Sequence, residues 1–285
     1  MKKVLFLTYY FPPRNRISSL RAAAFSKYLP DNGWEPVVIC EDWTSDLENF
    51  DAEMLQGLEN ITVHRLPTSR PRGFYRFFVR NIAPYILTEK NPYHWTKLAS
   101  KVAHQLCQNN SFDAILATYD PLGTLSLAAS LSKTYQIPWI ADLRDTCFCN
   151  TGMGARHKRK QNAKHEKRLC LKADQVVAIG GVMAKELEKE LNRDVSVITN
   201  RFDPEVFPTT DQIAEERFII LFAGRIHPRR ATPVSLFTAI ESAITKGRIP
   251  EDQIHVRLLG PSFKSVAGFK LDQFKRVSYS LEQRI

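Results

Sequence analysis

Two short apolar runs, VLFL in "KKVLFLTYY" (residues 2–10) and VVIC in "EPVVIC" (35–40), bracket one helical stretch near the start of the chain. Strands that read as continuous apolar runs are those buried on both faces of a parallel sheet. Parallel neighbours need a crossover between them, usually a helix. The intervening residues supply it. "FPPRNRISS" reads as a loop, and "LRAAAFSKYLPDNGW" as a helix with Leu20, Ala24 and Tyr28 on one face and Phe25 and Leu29 beside them. Ser18 or Ser19 is a candidate cap, and Pro30 with Gly33 marks the end. This is a βαβ unit.

The alternation continues. Strands are expected at "ITVHRL", "FDAILATYD", "IPWIADLRD", "DQVVAIG" and "DVSVITN", and helices at "HWTKLASKVAHQLCQNN", "LGTLSLAASLSKTYQ", "HEKRLCLKA" and "GVMAKELEKEL". Such a pattern predicts an α/β, Rossmann-like domain over residues 1–200, with ligands outside the C-terminal strand ends. Residues 201–216, "RFDPEVFPTTDQIAEE", are polar and proline-bearing and read as a linker. A second α/β unit follows over 217–285, with strands "RFIILFAG" and "IHVRLLG", the helix "SLFTAIESAITKG" and a final expected helix, "KLDQFKRVSYSLEQ". At this length it is an incomplete second Rossmann-like domain, since such a domain ordinarily needs well over a hundred residues.

Composition narrows the class. Hydrophobic content of 44% with 25% charged residues fits a soluble globular protein. No apolar run reaches the roughly 18 residues of a spanning helix. The opening "MKKVLFL" resembles a short signal peptide, but it lacks a small-residue cleavage site and reads better as a first strand. The five cysteines show no disulfide framework, and Cys147 and Cys149 are too close for a metal knuckle. His64, His94 and His104 show no metal spacing. The net charge of +10 favours an anionic partner: nucleic acid, acidic membrane or phosphorylated substrate.

In order and spacing, "YYFPPRNRISSLRAAAFSKYLPDNGWEPVVI", "FDAILATYDP", "IPWIADLRD", "ADQVVAIGGVMAKEL" and "VITNRFDPEVF" resemble the family-four retaining glycosyltransferases of the GT-B fold. "FAGRIHPRR" resembles that family's Gly-Arg-Leu-x-x-x-Lys donor motif. The resemblance implies two Rossmann-like domains, with the acceptor on the first and a nucleotide-sugar donor mainly on the second. It places Gly224, Arg225 and Arg230 at the donor diphosphate, where fixed cations stabilise the charge that develops on the leaving group. Arg230 stands in the family's lysine position. No cofactor and no metal are implied, because the nucleotide-sugar is a substrate and arginines neutralise its diphosphate.

Where the family usually has a Gly-Gly pair, this chain has Arg14, Asn15 and Arg16, candidates for an acceptor phosphate beside a helix N-terminus. "ADLRD" puts Asp142, Arg144 and Asp145 at a strand end. A carboxylate there orients an acceptor hydroxyl or takes its proton; the alternative is an internal ion pair of Arg144 with one aspartate. Asp120 is a neighbour on the same rim. Asn200 matches the family's Asn-Gly-x-Asp at the hinge, with Arg201 replacing the glycine.

Two basic stretches account for the charge. Arg72, Arg76 and Arg80 lie four apart, with Phe74, Phe77, Phe78 and Ile82 largely on the other side, the pattern of an amphipathic helix on an anionic membrane. Residues 156–168, "RHKRKQNAKHEKR", form the second run. The expected protein is a glycosyltransferase acting on a lipid-linked or polysaccharide acceptor, cytoplasmic and peripheral at the inner membrane face. The alternative is a non-catalytic remnant or one subunit of a split enzyme, because few residues follow the linker and the family's later Glu-x-seven-Glu motif has no match. A separate chain would then carry the remaining half. A nucleic-acid partner is not expected, because no recognisable module accompanies the basic runs.

Overall fold

The computed structural model describes residues 1–44, 50–67, 93–146, 156–200, 216–224, 233–260 and 271–282. The chain divides into two compact units, Met1–Pro208 and Thr209–Ile285, so the division falls within the proline-bearing 201–216 stretch.

The first unit is built on seven parallel strands. They are β1 (Lys2–Leu7), β2 (Trp34–Glu41), β3 (Thr62–Leu66), β4 (Ala114–Tyr119), β5 (Trp139–Leu143), β6 (Gln175–Ala178) and β7 (Ser196–Val197). Their order across the sheet is β3-β2-β1-β4-β5-β6-β7, with β1 an interior strand between β2 and β4. Leu5 pairs with Val37 on one side and Ile115 on the other. The alternation along β1 serves both faces. Leu5 and Leu7 join the larger core with helices α2 (Tyr93–Asn109), α3 (Leu122–Tyr135), α4 (Arg156–Cys170) and α5 (Gly181–Leu191), whereas Val4 and Phe6 face α1 (Ile17–Tyr28). Trp95 of α2 and Trp139 of β5 are fully buried; each such aromatic removes 150–250 Å2 from water.

The face of helix α1 that packs on the sheet is not the one carrying Leu20, Ala24 and Tyr28. Its buried residues are Ser19, Arg21, Ala22 and Ser26. Small side chains let the helix approach the sheet closely, and the Ser26 hydroxyl is satisfied by donating to the Ala22 carbonyl at 3.0 Å. The apolar face with Leu20, Ala24 and Tyr28 therefore lines an open groove of about 370 Å3 with Trp34 and residues 198–200. The N-cap is Arg16, with extended backbone and no side-chain cap, so neither Ser18 nor Ser19 caps the helix. Gly33, at φ 79°, makes the turn into β2, and its carbonyl accepts from the Lys2 amide. The last expected strand, "DVSVITN", contracts to the two residues of β7.

The second unit contains the strands β8 (Phe218–Ala223), β9 (Ile254–Leu259) and β10 (Tyr279–Glu282), parallel in the order β10-β9-β8, with helix α6 (Val234–Thr245) between the first two. Phe237, Ile240, Val256 and Leu258 form its core. The helix expected over 270–283 is absent. A 3-10 turn, Leu271–Gln273, precedes β10, in which Tyr279 pairs with Val256. Val277-Ser278-Tyr279-Ser280-Leu281 alternates with period two, which suits a strand and not a helix.

Candidate functional site

The C-terminal ends of β1, β2, β4 and β5 converge on one rim, the edge where open α/β sheets present ligands. The chain leaving β1 carries Tyr9 and Tyr10, and the chain leaving β2 carries Trp43. Tyr9 meets Tyr10, Trp43 and Trp95 edge-on, with ring centroids 4.9, 5.5 and 5.4 Å away. Tyr10 and Trp43 stack at 5.6 Å and 14°. The Trp43 indole N–H donates to the Tyr9 carbonyl at 3.1 Å, which locks the ring.

This aromatic floor holds two expected residues. The Arg14 guanidinium lies 3.8 Å from the Trp43 ring centroid, and Arg16 lies 5.1 Å from that of Tyr10. Arg14 is buried; burial, then the neighbouring Arg16, lowers its pKa. Glu41, also buried, hydrogen-bonds Tyr9. Burial first, and then that carboxylate, raises the Tyr9 hydroxyl pKa. Asn15 is directed elsewhere: its amide donates to Asp51 at 3.0 Å.

Asp120 follows β4. Much of it is exposed, yet the surrounding protein raises its pKa by desolvation, reinforced by Asp145 and opposed by Arg144 and Arg16. A carboxylate so placed is a better proton acceptor than a free aspartate. The Arg144 guanidinium donates through Nε to the Tyr119 carbonyl at 2.6 Å and through Nη2 to the Asp120 carbonyl at 3.4 Å. It braces the main chain that presents Asp120. Asp145 is exposed on the same rim.

The buried ion pair belongs to Arg21, not Arg144. Arg21 of α1 grips Asp142 through Nη2 at 2.6 Å and Nε at 3.0 Å, and Nη1 donates to the Asn200 side-chain oxygen at 3.1 Å. Asp142 is fully buried, so its carboxylate is held beneath the rim as a structural anchor. Sequence reasoning missed Arg21 and Trp43. The only basic residue inside "LRAAAFS" was a usable signal for the first, and a tryptophan just past the end of β2 for the second.

In the second unit, Gly224 ends β8 at φ 154°, and its amide donates to the Leu259 carbonyl at 2.8 Å. A Cβ on Gly260 would stand 2.5 Å from the Gly224 oxygen, so the two strand ends approach closely only because residue 260 is glycine. Arg225 and Arg230 lie outside the described residues, as do Arg72, Arg76, Arg80, Phe74, Phe77, Phe78, Cys147 and Cys149. Among the described residues, no three His, Cys, Asp or Glu side chains form a metal-binding group, and no helix is long and apolar enough to cross a membrane.

The family model for Glycosyltransferase Family 4 matches residues 19–206, about two thirds of the chain. The chain belongs to glycosyltransferase family 4. No curated protein matches this family 4 chain. Solved structures share its fold at low identity. Anabaena HepE in complex with UDP and glucose is 16% identical at a TM-score of 0.58, covering 100% of this chain and 70% of that one. A ugt transferase from Siraitia grosvenorii in complex with UDP is 9% identical at 0.52, covering 100% and 73%. The UDP-GlcNAc 2-epimerase of Neisseria meningitidis bound to UDP-GlcNAc is 13% identical at 0.53, covering 99% and 72%. The family 4 chain is thus GT-B-like and Rossmann-like, a fold that a transferase and an epimerase both use.

Proposed function

We propose that this protein transfers a glycosyl unit from a nucleoside-diphosphate sugar to a hydroxyl of a lipid-linked or polysaccharide acceptor, with retention at the anomeric carbon. The observation that carries the reading is the rim itself: Asp120, with a raised pKa, stands beside Arg16 and Arg144 at the strand ends of a family 4 domain. The acceptor lies on this rim over the Tyr10–Trp43 floor, and Arg16 meets its anionic group. The acceptor oxygen bonds to the anomeric carbon on the same face from which the diphosphate departs, as retention requires, and Asp120 takes the hydroxyl proton. The bond from that carbon to the donor diphosphate oxygen breaks, and its electron pair leaves with the diphosphate. Arg225 and Arg230 neutralise that leaving group, with Gly224 letting the backbone come close, and the nucleotide-sugar is a substrate with no resident cofactor. The UDP and UDP-sugars named for the structural neighbours support a uridine diphosphate donor. The net charge of +10 supports work at the inner, cytoplasmic face of an anionic membrane.

The test is calorimetry with UDP together with transfer of labelled sugar from UDP-sugars to a membrane extract. UDP binding that weakens in Arg225→Ala, and transfer that is lost in Asp120→Asn with UDP binding intact, are the expected results. Full transfer by Asp120→Asn refutes the assigned base. Donor binding without any transfer by the unmodified chain favours the reading as a non-catalytic subunit.

A further inference from the structure

We propose that the outer face of α4 is a docking surface for an anionic lipid bilayer. Over its 15 residues this helix has seven Lys or Arg and a single acid, Glu166. Glu166 is fully buried, so α4 turns no carboxylate outward. The inner side is fixed to the domain. Leu169 and Cys170 are buried in the core, His165 meets the Ser126 hydroxyl of α3 at 3.1 Å, and Lys167 pairs with Glu190 of α5 at 3.5 Å. Lys164 and Arg168, one turn apart, are exposed and have no ion pair among the described residues. Exposed Leu171 and Lys172 continue the same stripe past the helix end.

The charge pattern opposes the helix's own electrostatics. The first turn begins Arg156, His157, Lys158, Arg159, with no acid, at the end where the macrodipole is already positive. An external anion removes that conflict. A helix of 15 residues, about 22 Å long at 1.5 Å per residue, matches a charged plane better than a single small ligand. Half-exposed Leu171 suits the apolar boundary of a bilayer, and exposed Lys164, Arg168, Leu171 and Lys172 include no aromatic ring of the kind that stacks nucleic-acid bases. Because α4 follows β5, its first turn lies toward the edge that carries Asp120 and Asp145. Docking there brings the rim to the headgroups. The functional meaning of that placement rests on the proposed lipid-linked acceptor; the docking itself does not.

Flotation of the full chain with phosphatidylcholine vesicles, with and without about a third phosphatidylglycerol, tests the inference. Binding is expected only with the anionic lipid, and raised salt should release it. Lys164→Glu with Arg168→Glu should weaken it at least about tenfold, since each basic residue near the surface contributes roughly a fivefold preference. Arg72→Glu/Arg76→Glu/Arg80→Glu should retain more binding than the α4 variant. Undiminished flotation of a folded α4 variant, or a larger loss in the triple variant, overturns the inference. So does retention by single-stranded RNA but not by anionic vesicles. UDP calorimetry in parallel separates the two readings: loss of donor binding with flotation intact refutes the transferase and leaves the docking surface standing.

Discussion

The Asp142 carboxylate and the Arg21 guanidinium, 121 residues apart in sequence, meet at 2.6 Å with side-chain exposures of 0% and 4%. Removing one partner of such a pair strands a charge in the interior, at a cost of about 3–5 kcal/mol. Arg21→Met should therefore lower the unfolding free energy by that order in urea. Arg21→Met with Asp142→Leu should recover much of it. A single variant as stable as the parent would show that Asp142 finds water or another cation.

Asp120 makes a prediction of opposite sign. Its folded pKa lies above the ordinary aspartate value of 3.8, so the proton stabilises the folded state, an effect present at low pH and lost as pH rises through the raised pKa. Asp120→Asn stays neutral and should melt at a higher temperature than the parent at pH 7. The difference should vanish on acidification below the ordinary value. Transfer activity should fall with pH on the acid side at a higher pH than a free aspartate would dictate. Equal melting temperatures at neutral pH would contradict the desolvation argument.

The stack of Arg14 on Trp43 is testable by shape alone. Lysine keeps the charge but loses the planar face, so Arg14→Lys should cost about 0.5–2 kcal/mol of stability and change the Trp43 fluorescence. An unchanged emission spectrum and midpoint would mean the contact is not maintained in solution.

Gly260 offers a test of the proposed donor contacts. Alanine there forces its Cβ against the Gly224 carbonyl, and the turn that leads to Arg225 must shift. Gly260→Ala should weaken UDP binding several-fold while leaving the Arg21–Asp142 pair, in the other unit, untouched. Unaltered calorimetry would show that the turn yields without cost to the diphosphate contacts.

Much of the first unit was legible because parallel strands buried on both faces leave unbroken apolar runs, as VLFL and VVIC do. The rim was legible for the same reason: strand ends fix where polar residues emerge, and Asp120, Asp142 and Arg144 all follow such runs. The direction in which each points was not. Asp142 and Asp145 are three residues apart, yet one is sealed and the other exposed, because alternation aims Asp142 at α1 and its arginine. Hydrophobic periodicity misled on α1, where close approach of Ser19, Ala22 and Ser26 decided the buried face. In 277–281 the period-two signal was present but ran through a stretch with helix-forming neighbours.

The interior place of β1 also governs how the chain can come into being. Leu5 and Phe6 are made first, and β2 reaches them within forty residues, but their other neighbours, Ile115 and Leu116, are more than a hundred residues further on. A ribosome delivering the chain from its N-terminus must therefore extrude this interior strand long before both its edges can be paired. For that interval one edge of β1 is an open template for other strands. Slowing synthesis ahead of codon 114 should increase aggregation of the nascent protein, whereas the same pause after β4 has emerged should not.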